Sequence, residues 1–390
     1  MNKFVSVLLI FTLTFCAYIP INAINNTKNE AEYSALTTDE IVVEAKSAVL
    51  MEATTGEIIY MKNPDEALPP ASVTKIMTLL LVCEAIRDGK IKLDSIVSVS
   101  EYAASMGGSQ VFLKVGERMT VDELLKCTVI ASANDCAVAL AEAVCGSEKI
   151  FVDRMNQKAK EMGLFGCNFE NVTGLDDTTL DHKMSARDIA TISCELIKYP
   201  EVTEYSRLWQ DSIRDGEFIL TNTNRLVRYY SGCTGLKTGS TDKAGYCVTV
   251  SAERDNMKLI CVIMGAKSRD ERNKSATTLL DYGFLNYTVY SDPAGEVENI
   301  PVYRGEDTNC ALLKEELVRL VRKSDLNQVE KSYEIPEKLV GKITSDVSVG
   351  KVRYTVDGKL LGTVNVYPSC DIDAINFWYL IGVLFKAIIS

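Results

Sequence analysis

Two β-hairpins far apart in the chain, with helical segments between them, most constrain what this polypeptide can fold into. The first is SAVLMEATTGEIIYMKN (47–63), two apolar-rich runs around TTGE. The second is AGYCVTVSAERDNMKLICVIMGA (244–266), two β-rich runs around the polar turn ERDN. Strand-forming runs interrupted by such turn residues read as hairpins. From about Ser72 to Arg87 the composition is helical, and Gly89 stands in the helix-stopping position. A second helix begins at TVDELLKC, where Thr120 and Glu123 form a capping box, each side chain satisfying an amide that the first turn leaves open. MSARDIATISCELIKYP is a further helix halted before Pro200, and RDERNKSATTLLDYGFLNY is another. The two distant hairpins are therefore expected to share one antiparallel sheet that carries helices. That is an α+β fold, not a succession of βαβ units.

The ends of the chain have a different character. Residues 1–23, MNKFVSVLLIFTLTFCAYIPINA, place one cation, Lys3, before an apolar run and the small residue Ala23. This reads as a cleavable export signal, with an uncleaved membrane anchor as the alternative. Phe15 is too bulky for a lipoprotein cleavage box at Cys16. Residues 24–45 are a polar leader, and 46–291 is expected to form the main body. Residues 292–370 are read as a smaller, mostly β domain, with Asp357-Gly358 as its hairpin signal. The final stretch, 372–390, is apolar and aromatic with Lys386 near its end. A helix of about 16 residues would span ~24 Å, short of a ~30 Å hydrocarbon core. Trp378 and Tyr379 favour a membrane interface. Shallow anchoring is expected there, against the alternative of a buried terminal helix.

Composition excludes several chemistries. The net charge of −11 opposes nonspecific nucleic-acid binding. Of 12 cysteines, Cys16 lies in the signal, and the rest are scattered singly, many in apolar stretches. They read as small buried hydrophobes, not as a disulfide framework. His182 is the single histidine, which rules out zinc sites built on two or more histidines. A Ser-His-Asp hydrolase would need His182 as its base, and no G-x-S-x-G elbow accompanies it.

Three short motifs carry the remaining chemical possibilities. In PPASVTKIMT (69–78), Ser72 and Lys75 are spaced to share one helix face at its N-terminus, where free amides point outward. Serine needs a base to attack a carbonyl, and a lysine serves if burial and nearby cations keep it neutral. The bland reading is a helix cap beside a solvated lysine. In ASANDCAVAL (131–140), the Ser132 hydroxyl is placed to relay a proton, and the Asn134 amide to hold a carbonyl and the lysine. Alone, this pair equally suits an ordinary helix start. In GLKTGSTDKAGYC (235–247), Lys237, Thr238 and Gly239 make a docking rail: a cation for a carboxylate, backbone for an extended peptide, and no side chain to collide. The bland reading there is a turn with an exposed lysine.

S-x-x-K, S-x-N and K-T-G in that order resemble the penicillin-recognising serine enzymes. The flanks, including NVTGLDDTTLDHKMSARDIA (171–190), resemble one branch of these, the low-molecular-mass penicillin-binding proteins that are D-alanyl-D-alanine carboxypeptidases. The resemblance runs from about residue 40 to 370. It implies a β-lactamase/transpeptidase-like domain, a small C-terminal β domain and a serine peptidase needing no cofactor or metal. By the resemblance, Ser72 forms the acyl-enzyme and Lys75 accepts its proton. Ser132 and Asn134 serve proton transfer and substrate holding. Lys237 and Thr238 bind the terminal carboxylate of a peptidoglycan stem peptide ending in D-Ala-D-Ala, Gly239 and Ser240 complete the substrate-binding strand, and the Ser72 and Ser240 amides form the oxyanion hole. Export to the outer face of the cytoplasmic membrane or the cell wall and inhibition by β-lactam antibiotics are also implied. Ser240 departs from members with histidine after K-T-G, and Ala133 from those with glycine in S-x-N. His182 is expected to organise a loop; Arg225 assists carboxylate binding or is an exposed structural arginine. No Glu-x-x-Leu-Asn is found, which disfavours a class A β-lactamase. A non-catalytic wall-binding sensor is disfavoured by the completeness of the motifs.

Overall fold

The computed structural model describes residues 41–177 and 179–389. The expected signal, 1–23, and the leader as far as residue 40 lie outside the described residues.

The two hairpins do join. Strands β1 (Ser47–Glu52) and β2 (Ile58–Lys62) form the first, and β3 (Cys233–Thr241), β4 (Gly245–Arg254) and β5 (Met257–Ala266) extend the second. They make one five-stranded antiparallel sheet in the order β2-β1-β5-β4-β3. Alternation along β5 explains why so apolar a strand is needed. Ile260, Val262 and Met264 face one core, while Leu259, Cys261 and Ile263 face another. Helices cover both faces. α1 (Lys75–Arg87) and α5 (Ala186–Leu196) belong to the first core with α2 (Val121–Ile130), α3 (Asn134–Cys145) and α4 (Glu148–Glu161). α6 (Pro200–Ser206) follows α5 in the chain, and α7 (Arg269–Asn286) covers the opposite face of the sheet. The architecture is α+β, as the hairpin spacing predicts.

Local signals act where the sequence places them. Thr120 caps α2 in a two-way capping box with Glu123. ERDN closes β4–β5 with Asp255 and Asn256 at φ 48° and 61°, the left-handed pair that a two-residue hairpin turn requires. Pro200 does halt α5, but it also opens α6 at its first turn, where a missing N–H costs nothing. All eleven cysteines among the described residues are free thiols, seven of them buried.

The remainder is β-rich. Strand β6 (Tyr287–Asp292) pairs with β9 (Leu317–Arg322). β7 (Gly295–Tyr303), β8 (Asn309–Lys314), β10 (Val329–Glu334), β11 (Leu339–Val340), β12 (Gly350–Val356) and β13 (Lys359–Pro368) form a six-stranded sheet, order β10-β12-β13-β8-β7-β11. Asp357-Gly358 is the β12–β13 turn. Past β13 the backbone still serves this region, since Ile372 is buried and pairs with Ile343, and Ala374 bridges Gly305. The segment that stands clear is therefore shorter than 372–390. It is the helix α8 (Phe377–Ile389), 13 residues with none buried. A buried terminal helix, the alternative raised by the sequence, is not what forms.

Candidate active site

Ser72 does not sit in the α-helix. It lies in a 3-10 turn, Ala71–Thr74, that leads into α1, and Ala71 is held at φ 49°. Packing beneath the turn is close: a Cβ on Gly174 would come within 1.8 Å of the Ala71 carbonyl oxygen. The tighter turn improves on the helical expectation, because side chains three apart eclipse in a 3-10 turn. Lys75 Nζ is thereby brought to 3.0 Å from Ser72 Oγ.

Lys75 is wholly buried, which answers the question its sequence position poses. Nζ also donates to Asn134 Oδ1 at 2.6 Å and to the Thr173 carbonyl at 2.8 Å. Burial, then the charge of Lys237, depress its pKa well below the ordinary lysine value, with Asp135 opposing. A neutral amine has two hydrogens and one lone pair. Asn134 Oδ1 and Thr173 O are pure acceptors and take both hydrogens. The lone pair is left for the Ser72 hydroxyl, the arrangement a general base needs.

Ser132 is at φ 63° in the three-residue link between α2 and α3, with its neighbour Ala133 at the N-cap of α3. Its hydroxyl is buried and has no hydrogen-bond partner among the described residues. A group left so costs about 1–3 kcal/mol. Asn134 opens α3, and its Nδ2 donates to Gly107 O at 2.7 Å, tying the S-x-N turn to the 107–113 segment. Asp135, fully buried, accepts from the Val111 and Leu113 amides, both at 3.1 Å, and pins the same segment.

K-T-G lies on β3, the edge strand of the sheet that packs against the Ser72 turn. The approach is so close that a Cβ on Gly239 would stand 2.8 Å from both Ser72 N and Pro70 O. Glycine is required there by the backbone of the Ser72 turn. Lys237 is 1% exposed, and burial, then Arg272, bring its pKa down to about 7. Its Nζ donates to Thr238 O at 2.9 Å, and Thr238 Oγ1 donates to Thr223 Oγ1 at 2.8 Å. Ser240 follows, exposed, on the same strand. Arg225 is exposed two residues beyond Thr223, at the start of the short helix Leu226–Tyr229. His182 lies behind the Ser72 turn, with Nε2 2.8 Å from Thr74 Oγ1.

The structure thus brings Ser72, Lys75, Asn134 and Gly239 into one cluster, with Lys237 close enough to bias Lys75. It leaves Ser132 unbonded to any of them. Residue-level reading of the motifs missed Thr173 and Gly174, the acceptor and the close approach that define the lysine's state. Their only signal was the turn-forming N-x-T-G, whose contact with the first motif is tertiary.

An antiparallel sheet with a serine–lysine pair at the head of a buried helix and a lysine-bearing edge strand beside it defines a serine peptidase of the acyl-enzyme-forming class. Residues 34–268 match the model of the D-alanyl-D-alanine carboxypeptidase family, and 287–374 match the C-terminal domain of penicillin-binding protein 5. D-alanyl-D-alanine carboxypeptidase DacF of Bacillus subtilis is 42% identical over 347 residues, 87% of this chain and 89% of the relative. Escherichia coli DacC is 33% identical, covering 82% and 81%. Penicillin-binding protein 5 from Haemophilus influenzae superposes with a TM-score of 0.77 at 30% identity, covering 85% of this chain and 98% of that one. Penicillin-binding protein D2 from Listeria monocytogenes, solved in an ampicillin-bound form, gives 0.57 at 29%, covering 63% and 99%. The chain belongs to the D-alanyl-D-alanine carboxypeptidase family, serine-type peptidases acting on peptidoglycan.

Proposed function

We propose that Ser72 is the nucleophile and Lys75 its base in removal of the terminal D-alanine from stem peptides ending in D-Ala-D-Ala. Ser72 Oγ attacks the carbonyl of the penultimate D-alanine while its proton passes to the neutral Lys75 Nζ. The oxyanion is received by the Ser72 and Ser240 amides. The C–N bond then breaks, and a proton returns to the amine of the departing D-alanine. The Ser132 hydroxyl, buried without a partner, relays that proton. Lys237 and Thr238 hold the terminal carboxylate, with Gly239 and Ser240 continuing the strand along which the peptide lies. Water, deprotonated by Lys75, hydrolyses the ester and frees Ser72. A β-lactam opens on the same serine and inhibits.

What supports this reading above all is the hydrogen-bond count at Lys75: two pure acceptors and one hydroxyl around a desolvated amine. The test is release of free D-alanine from diacetyl-lysyl-D-Ala-D-Ala. Ser72→Ala is expected to abolish release, and Lys75→Ala to lower kcat by about 10²- to 10⁴-fold. Full turnover by Ser72→Ala would remove the nucleophile assignment.

The body 46–291 carries this chemistry, and residues 292–370 act as its β domain. Export through residues 1–23 places the enzyme outside the cytoplasmic membrane, where its substrate lies. The aromatic helix Phe377–Ile389 anchors it on the outer leaflet. It is not long and apolar enough to cross a membrane, so it lies in the interface.

A further inference from the structure

The lone histidine is 7% exposed, lies on the segment after the N-x-T-G turn, and bonds to the nucleophile's own turn. Its Nδ1 accepts from the Glu170 backbone N–H at 3.0 Å. A backbone N–H only donates, so Nδ1 carries no proton and the neutral ring is protonated on Nε2. Nε2–H therefore donates to Thr74 Oγ1, 2.8 Å away. Thr74 Oγ1 in turn donates to the Ala71 carbonyl at 2.8 Å. Every hydrogen in this chain has a single place to go, so its direction is fixed from Glu170 to Ala71.

The far end of the chain is the strained point of the site. Ala71, at φ 49°, is the residue immediately before Ser72, and its carbonyl is squeezed against Gly174. A left-handed alanine costs free energy and persists only where its surroundings over-determine it. The Thr74 hydroxyl is one clamp on that carbonyl, and His182 fixes which way the hydroxyl points. The ring is itself held: Phe169 packs edge-on at 6.0 Å, and the Glu170 carboxylate accepts from the Leu180 and Asp181 amides just before it. Burial brings the His182 pKa down to about 4, against opposing contributions from Glu170 and Asp176, so the ring stays neutral and its hydrogen bonds keep their sense.

We infer that His182 is a positioning residue that, through the Thr74 hydroxyl, locks the Ala71 carbonyl and so sets the line along which Ser72 Oγ attacks. It touches neither substrate nor Ser72. The inference rests on Ser72 being the nucleophile.

Single-turnover acylation of the full-length protein by a labelled penicillin separates the limiting acylation rate constant from the dissociation constant of the initial complex. His182→Ala and Thr74→Val are each expected to lower the rate constant by about 10²-fold, the usual consequence of a small misplacement of a reacting group, with the dissociation constant unchanged. Together they should lose no more than the worse single variant, because both break one chain. His182→Gln, with one acceptor and one donor at the right end, should recover most of the rate. If His182→Ala does not fold, Thr74→Val decides. Wild-type acylation by Thr74→Val, multiplicative losses in the double variant, or failure of His182→Gln to rescue would each overturn the inference. Absence of a penicilloyl adduct on Ser72 of the wild-type protein would instead overturn the reading of the site.

Discussion

Lys75 and Lys237 are both buried cations by residue type, yet the reaction proposed above asks opposite states of them. Lys75 must be neutral to take a proton, and Lys237 must be charged to hold a carboxylate. Burial depresses both; the charge of Lys237 depresses Lys75 further, and that of Arg272 depresses Lys237. The expected pH dependence follows from the sign of each effect. As pH rises, Lys75 loses its proton and acylation speeds up. As pH rises through about 7, Lys237 in the free enzyme loses its charge and carboxylate binding weakens. The profile of kcat/KM, which reports the free enzyme, should therefore fall on its alkaline side near that value. The limb in kcat should lie at higher pH, because a bound carboxylate restores the charged form. A substrate whose terminal carboxylate is esterified should lose the alkaline limb. An unchanged limb with the ester would show that Lys237 is not the carboxylate's partner. The motif residues were legible in the sequence because each needs a particular side chain. Thr173, which contributes only a carbonyl, was not, since any residue supplies one.

At the scale of elements, what is local was readable and what depends on a neighbour was not. The hairpins and the caps are written in turn residues and side chains that act within a few positions. The Thr120–Glu123 capping box is an example, with both bonds made, at 3.1 Å and 3.0 Å. Thr120→Ala should cost about 1 kcal/mol of stability, read as a lower denaturant midpoint with an unchanged slope. It should leave the acylation rate intact, since Thr120 is at the opposite end of α2 from Ile130, whose carbonyl accepts from the Thr223 N–H beside the site. A change in slope would mean that the helix end is not a simple cap. The 3-10 turn at Ser72, by contrast, was read as the start of a helix. Its composition is helical, and the left-handed Ala71 sits against the backbone of residue 174, about a hundred positions away in the chain. The helix Pro200–Ser206 was missed for a simpler reason: a proline that stops one helix also begins another.

On the scale of the whole molecule, the β-rich region and the terminal helix can be separated by experiment. Phe377, Trp378, Leu384 and Phe385 are each more than half exposed, an apolar surface that water alone covers poorly. A chain ending at residue 376 should release D-alanine at the full-length rate but no longer co-sediment with phospholipid vesicles. Retained sedimentation would place the membrane contact elsewhere. Cutting at 372 instead would strip the buried Ile372 from the β region's core and confuse anchoring with stability. The sequence by itself determined the α+β class, the joined hairpins, the motif residues and the apolar terminal helix, though not its exposure, because periodicity, turn chemistry and side-chain identity are properties of short stretches. Only the tertiary structure decided that Lys75 is desolvated among two carbonyl-type acceptors and one hydroxyl. It alone also placed Gly239 against the nucleophile's backbone and put His182 behind Ala71. Burial and close approach are relations between segments that the chain separates by dozens of residues or more, and no local pattern encodes them.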